Sequence, residues 1–447
     1  MKKLGLISLG CDKNRVDSEI LLASAQKIGY EIVNEANKAD VIVINTCAFI
    51  EAAKKEAIEA IFQMLDIKKQ TGAKVVAIGC LAQRYAEDLL SDIPELDAII
   101  GSGNYSDFFQ ILQRLEKGER GFLSIDKTLT HIEQGDRVIS TPSHYTYLRI
   151  ADGCNNFCTY CAIPFIRGRY RSRQMKDIVS EAQELTEKGV KELILVAQDV
   201  TDYGIDLYGK RTLVELLRQL SKITNLRYIR LLYCYPEHIE ESLIDEIANN
   251  SKIVKYIDLP LQHVDDFILK KMNRKTTYDN IVALIKKLRA KIEGIAIRST
   301  FICGFPYETD KEVNTLNTFI KEQKLNNVGF FEYSAEEGTL AEKFDGQVVS
   351  FVKKQRLDRL ALTQQKISKT INKNFLNKTL EVVVDGFVKF VEGKNKYVYY
   401  GRPYFFAPDI DGKVFILSDK EINIGDYIFV EIKNSLDYDL IGELIIT

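Results

Sequence analysis

The sequence predicts an α/β protein in three parts. A doubly wound parallel-sheet domain comes first, then a partial (β/α) barrel, then a small C-terminal antiparallel β-barrel. Three observations carry this. Short apolar runs alternate with helical segments over residues 1–120. A second alternation of the same kind runs over residues 144–348. Five short strands separated by Gly, Asp and Asn turns follow a long amphipathic segment at the end of the chain. Repeated strand–loop–helix units imply parallel sheets, and closely spaced short strands imply an all-β module.

The bulk numbers agree. At roughly 100–200 residues per domain, a chain of 447 residues holds two to four domains, and a hydrophobic fraction of 46% lets each bury a core. Basic and acidic residues balance, 61 against 63. That excludes a protein coating nucleic acid by charge alone. The start, MKKLGLISLGCDKN, has a brief apolar run and no small-residue cleavage site, so it reads as a first strand and not as a signal peptide. No run has the length of a membrane span. A cytoplasmic location with no membrane partner is expected. In a reducing compartment the eight cysteines are expected to serve metal binding or catalysis and not disulfides.

In the first domain, KLGLISLGC precedes a helix expected over residues 15–28, with Val16, Ile20 and Ala23 on one face. ADVIVINTC precedes IEAAKKEAIEAIFQML, AKVVAIGC precedes AQRYAEDLL, and DAIIGSG precedes SDFFQILQRLE. Cys11, Cys47 and Cys80 each close a strand. The carboxyl ends of strands in an open α/β sheet form one ligand-binding edge, so the three are expected to converge. A single buried cysteine there would be an ordinary core residue. Recurrence at three strand ends points to one site.

Residues 121–143, polar and weakly periodic, read as a linker. The second domain offers six strands: YTYLRIADG, KELILVAQDV, LRYIRLLYCYP, KYIDLPLQH, GIAIRSTFICGFP and NNVGFFEYSAEEG. Six units make less than the usual eight-unit barrel, and chemistry belongs at the carboxyl ends of its strands. Residues 349–375 read as one connecting helix, and residues 376–447 as the five-stranded barrel.

The first barrel strand runs into GCNNFCTYCAIP, which places Cys154, Cys158 and Cys161 in a C-x3-C-x2-C pattern. No fourth soft ligand lies nearby; the closest histidine, His144, precedes the strand. Structural zinc takes four protein ligands. A 4Fe–4S cluster takes one thiolate per iron, so three cysteines leave one iron open to a small chelating molecule. Zinc and a plain electron-transfer cluster are the competing readings, and both ordinarily use a full ligand set.

This triplet, with Tyr160 before its last cysteine and on the first loop of a partial barrel, resembles the radical S-adenosylmethionine enzymes. The resemblance implies a 4Fe–4S cluster on Cys154, Cys158 and Cys161, with S-adenosylmethionine on the open iron as the source of a 5′-deoxyadenosyl radical. The three-part organisation narrows this further. It is similar over essentially the whole chain to the methylthiotransferases, whose last module is a TRAM-like β-barrel. That resemblance implies a second 4Fe–4S cluster on Cys11, Cys47 and Cys80, also one ligand short, which presents the sulfur. It implies two S-adenosylmethionine molecules per product, and two clusters facing each other across the domain junction. A flavodoxin or ferredoxin is the expected electron donor.

Polar residues at barrel strand ends are candidate cofactor contacts: Gln198 with Asp199, Arg230 with Tyr233, Gln262 with His263, and Arg298 with Thr300. Tyr160 joins them through the resemblance. Ordinary hydrogen bonding inside the barrel is the competing role for these strand-end residues. Cys234 and Cys303, in apolar surroundings, read as core. Arg167, Arg169, Arg171 and Arg173 recur at period two and would share one face of an extended segment. They are expected either to be solvated or to steer an anionic substrate.

Two branches of the family differ in substrate. One modifies isopentenyladenosine beside the tRNA anticodon. The other modifies the β-carbon of an aspartate in small-subunit ribosomal protein number twelve, in the context of the ribosome. From Asn374 to the end of the chain there are eight basic and twelve acidic residues, a net charge of −4. A module docking on phosphates should be basic, whereas an acidic one suits a basic ribosomal protein. NTCAFIEAAKKEAIEAI, CNNFCTYCAIPFIRG, DLPLQHVDD and FEYSAEEGT also resemble the ribosomal-protein branch. That substrate is expected, with the tRNA as the alternative. A cluster-bearing scaffold or carrier is the non-enzyme reading, and it leaves the barrel and the last module without a role.

Overall fold

The computed structural model describes residues 1–447 except 127, 130, 131, 133, 395, 446 and 447. The first sheet is built from β1 (Lys3–Ser8), β2 (Glu31–Ile32), β3 (Val41–Thr46), β4 (Lys74–Gly79), β5 (Ala98–Gly101) and β6 (Phe122–Ser124). They are all parallel, in the order β2-β1-β3-β4-β5-β6. The runs VIVINT and VVAIG are buried throughout, as a parallel sheet covered on both faces requires. The helix Glu51–Thr71 buries Ala57, Ile61, Met64 and Leu65 as one stripe. Gly72 ends it in the left-handed conformation, with its amide donating to the Lys68 carbonyl at 2.8 Å.

The expected linker differs from what forms. Residues 122–124 add the sixth strand, because Phe122, Leu123 and Ser124 find a free edge beside β5. Residues 127, 130, 131 and 133 of that stretch lie outside the described residues. Arg137 and Ser140 are fastened to buried Glu19 of the first helix, Asp12–Lys27, at 2.5 and 2.7 Å.

The second sheet holds β7 (Tyr145–Arg149), β10 (Glu192–Val196), β11 (Tyr228–Leu231), β12 (Ile253–Gln262), β13 (Ala296–Cys303) and β14 (Asn327–Glu332). All are parallel, in the order β14-β13-β12-β11-β10-β7. A short antiparallel pair, β8 (Ala151–Asp152) and β9 (Arg171–Ser172), brackets the cysteine loop. Helices pack on one face only, where Leu193, Leu195, Ile229, Ile257 and Ile297 meet Ile178, Leu216, Ile244 and Ile285. Cys234 and Cys303 lie in this core, each fully buried. A helix over Ser350–Lys373 leads to β15 (Thr379–Val391), β16 (Lys396–Arg402), β17 (Val414–Ser418), β18 (Tyr427–Ser435) and β19 (Leu440–Leu444). These close into a barrel that is antiparallel except for the β17–β19 pair.

The inner face of the half-barrel has no helices of its own, and the two other domains fill it. Tyr145, Tyr147, Ile194, Val196 and Tyr256 pack against Val382, Phe405 and Val430 of the last barrel and against Val16 and Ile20 of the first helix. The C-terminal barrel occupies the end where the strands begin. Glu192, the first residue of β10, is buried between Arg230 at 2.7 Å and Arg402 at 2.5 Å. Glu381 accepts from Tyr228 at 2.6 Å, and Asp411 from Tyr256 at 2.8 Å. The first domain is thereby left the end where the strands finish.

Burial by itself would raise the Glu192 carboxyl, but Arg402 and Arg230 outweigh it and hold it at about 2, below an ordinary 4.5. Its folded value lies below its unfolded one, so the stabilisation, about 3 kcal/mol, is present above pH 4.5 and fades as pH falls toward 2. Glu192→Ala strands two buried guanidinium groups and should cost about 3–5 kcal/mol. Urea midpoints across that pH window test this: the native protein should lose stability on acidification, and Glu192→Gln should lack this component of the loss.

Candidate active site at the domain junction

β1, β3 and β4 are neighbours, and a cysteine follows each. Cys11 caps the helix Asp12–Lys27, Cys47 follows β3 directly, and Cys80 heads the helix Cys80–Arg84. Adjacent strands are about 4.8 Å apart, so the topology brings the three together. The Asn14 Oδ1 atom marks the centre, with the Cys80 sulfur at 3.7 Å and the Cys11 sulfur at 4.0 Å. Gly10 is required beside them: at φ +89°, a Cβ on it would lie 2.8 Å from the Cys47 Cβ. Cys47 and Cys80 are buried, while Cys11 is exposed toward the junction.

Cys154, Cys158 and Cys161 lie on the loop after β8, all half-buried. Gly153 makes the turn at φ +79°, where a Cβ would strike the Arg169 carbonyl oxygen at 2.1 Å. The Asn156 amide donates to the Cys154 sulfur at 3.4 Å, and the Cys158 sulfur is 3.8 Å from the Tyr235 hydroxyl.

Four of these thiols, Cys47, Cys80, Cys154 and Cys161, do not favour charge unaided. Burial pushes Cys47 up to about 12, and Cys80 and Cys11 beside it push the same way. Burial also raises Cys154 to about 12 and, together with Cys158, raises Cys161. For Cys80, burial outweighs the lowering effect of Arg167. Converging thiols become thiolates when a polycation takes all three. Each set therefore fits an iron–sulfur cluster with three protein ligands.

Arg167 joins the two halves. It is 2% exposed, and its Nη2 donates to Asn14 Oδ1 at 2.7 Å and lies 3.5 Å from the Cys80 sulfur. Its Nη1 donates to Asp17 of the first domain at 2.9 Å and lies 3.5 Å from Asp152 of the barrel. Asp17 also pairs with Arg149 at the end of β7. The expectation of one arginine face fails here. Residues 163–166 form a helical turn and Gly168 adopts φ +74°, so the alternation never starts. Arg167 turns inward, Arg173 is buried against Glu181, and Arg169 lies over the Phe157 ring. Pro164 and Gly168 are the residues that could have signalled this break.

The other candidates divide into two groups. Gln198 donates to Asp152 at 2.8 Å, within the network that holds Arg167. Gln262 closes β12 in the left-handed conformation, φ +68°. Tyr160 packs edge-on to Phe305 beside Arg274. These three stand on the side of the barrel cysteines. Arg230 and Arg298 do not. Arg230 is fully buried on Glu192 and the Tyr404 carbonyl. Arg298 pairs with Asp258 at 2.9 Å and with Asp411 of the C-terminal barrel at 3.4 Å. Both reach residues of the last domain, Tyr404 and Asp411, so they secure it. Sequence alone did not single out Tyr235, Arg274 or Asn14.

Known proteins align with this architecture. Residues 3–101 match Uncharacterized protein family UPF0004, residues 148–320 the Radical SAM superfamily, and residues 378–445 the TRAM domain. A curated relative from Thermoanaerobacter sp. (strain X514), named ribosomal protein uS12 methylthiotransferase RimO, is 48% identical over 99% of this chain and 100% of its own. A relative of the same name from Clostridium botulinum (strain Hall) is 48% identical over 98% of this chain and 97% of its own. Among solved structures, the radical S-adenosylmethionine methyltransferase TsrM from Kitasatospora setae superposes with TM-score 0.54 at 15% identity, covering 74% of this chain and 73% of that one. That likeness concerns the fold. With near-complete coverage by 48%-identical relatives, the chain belongs to the RimO family of radical SAM methylthiotransferases.

Proposed function

We propose that this protein replaces a hydrogen on the β-carbon of an aspartate of ribosomal protein uS12 with a methylthio group. The observation that carries the proposal is the pair of three-thiol sets beside one junction, in two different domains, with Arg167 of the barrel reaching Asn14 and Cys80 of the first domain. The names of the full-length relatives support uS12 as substrate. The net charge of −4 on the last 74 residues supports a basic protein partner over a phosphate backbone.

Cys154, Cys158 and Cys161 would hold one 4Fe–4S cluster, and Cys11, Cys47 and Cys80 a second. When bound with S-adenosylmethionine, these groups supply one-electron chemistry and sulfur at a C–H bond that no ordinary acid or base can ionise. The chain's own residues do the rest. Asp152 orients the Gln198 amide, and Gln198, Gln262 and Tyr160 would line the S-adenosylmethionine side. Tyr235, covered by Arg274 at 3.8 Å, sets its hydroxyl beside Cys158. Arg167 sets its guanidinium beside Asn14 and the Cys80 sulfur. A flavodoxin or ferredoxin would deliver the electrons, and the ribosome in the cytoplasm would present uS12.

Three outcomes are expected. Reconstituted anaerobically with reductant, S-adenosylmethionine and sulfide, the protein should add methylthio to an aspartate of uS12 when given small ribosomal subunits, and should leave bulk tRNA unchanged. Mass spectrometry decides; modified adenosine with untouched uS12 would overturn the substrate. The triple variant Cys11→Ala, Cys47→Ala, Cys80→Ala should keep about half the iron and yield no methylthio product. The same change at the barrel triplet should also abolish 5′-deoxyadenosine formation. Arg167→Gln should make the first-domain cluster harder to reduce by roughly 50–100 mV, because a cation beside a ligand sulfur favours the more negative, reduced state. Arg167→Lys should recover most of that shift in an EPR-monitored titration, and equal potentials in all three proteins would rule out the role.

A further inference from the structure

Lys13 is the second residue of the helix that Cys11 caps, and it is 7% exposed. Buried cations need partners, because a desolvated charge without one is costly. The seven arginines buried to the same degree all have a carboxylate: Arg137, Arg149, Arg167, Arg173, Arg230, Arg274 and Arg402 face Glu19, Asp17, Asp17, Glu181, Glu192, Glu237 and Glu192. Lys13 alone, among the described residues, has no carboxylate in reach and no hydrogen-bond acceptor. Its ammonium rests on the face of the Tyr233 ring, 3.5 Å from the centroid. A ring face satisfies charge in part and leaves an ammonium's directional N–H donors free.

The place of this ammonium matters as much as its lack of an acceptor. Tyr233 follows β11 in the left-handed conformation, φ +60°, held there by its amide donating to Asp258 at 2.9 Å. A left-handed aromatic residue is strained, and such strain collects at functional sites. The turn aims the ring across the domain junction, where its hydroxyl donates to Asp12 at 3.1 Å. Two residues on, Tyr235 reaches the Cys158 sulfur. Lys13 therefore stands at the seam between Cys11 and the strand end that serves the barrel cysteines.

We propose that Lys13 is the specificity residue that receives the carboxylate of the substrate aspartate. This rests on the proposed function above. The carboxylate is one bond from the β-carbon that reacts, so pairing it with a fixed ammonium places that carbon in the seam. It also selects aspartate over its neutral isostere asparagine, because asparagine would leave the buried charge unpaired.

The test uses the reconstituted holoenzyme, recombinant uS12, and uS12 with the modified aspartate changed to asparagine. Binding is read by fluorescence anisotropy and turnover by mass spectrometry. The native enzyme should bind uS12 about 10- to 100-fold more tightly than the asparagine form. In Lys13→Met that ratio should fall to near one, with a matching loss in kcat/KM expressed in KM. Lys13→Arg should restore much of the ratio. Iron content and thermal melting check that each variant folds. Equal affinity of the native enzyme for both forms of uS12 overturns the proposal without any variant. So does equal weakening of both forms by Lys13→Met, which would make Lys13 a clamp on Tyr233 alone. A native enzyme that modifies tRNA and ignores uS12 overturns the functional reading itself, a result distinct from either of these.

Discussion

Six parallel strands with helices on one side leave their other face uncovered, and in this protein that face carries charge. Glu192, Arg230, Asp258 and Arg298 all lie at positions that no barrel helix covers. Hydrophobic packing by Tyr145, Tyr147 and Tyr256 covers part of the surface. The charged positions pair with one another, Glu192 with Arg230 and Asp258 with Arg298, and further partners from elsewhere in the chain complete them. The C-terminal barrel supplies Arg402 and Asp411 where the strands begin, and the first domain supplies Asp17 where they end. The three domains are thus fixed by one requirement, the filling of the concave face. The site is the space left where the first domain meets the strand ends.

That arrangement brings two sets of three thiols to the same domain junction. Each set sits on the carboxyl edge of its own parallel sheet, the edge where loops are free to vary and ligands bind. Docking the two domains turns two ordinary binding edges into one shared junction. Arg167 leaves the barrel's cysteine loop and ends beside Cys80, with Asp17 and Asp152 balancing its charge from either side. A single side chain therefore ties the first domain's cysteine set to the barrel. A buried guanidinium with two carboxylates holds its geometry better than a solvated one, which is what positioning two reacting centres requires.

Much of this was legible in the amino-acid pattern. The strand-end cysteines, the C-x3-C-x2-C loop, the six-unit barrel and the five-stranded last module rest on local signals: periodicity, turn residues and spacing. The placement of the first helix was close, with residues 15–28 expected and Asp12–Lys27 observed. The strand at residues 122–124 escaped notice because three residues carry little periodicity and an edge strand gains its stability from the neighbour it pairs with. Arg230 and Arg298 looked like cofactor contacts because polar residues on barrel strands often are. Their partners, Tyr404 and Asp411, lie more than a hundred residues away in another domain.

The sequence by itself determined which residues could do chemistry: six cysteines whose local spacing places them at strand ends, and an order of elements that only parallel sheets and a small barrel satisfy. The tertiary structure decided what the charged residues are for. Lys13, Arg167, Arg169 and Arg230 are alike in composition, yet one rests on an aromatic ring, one spans two domains, one lies over the exposed Phe157 ring and one is locked in a buried pair. The physical reason is that a charge has no fixed role until its desolvation and its partner are known, and both are set by chain segments far away in sequence.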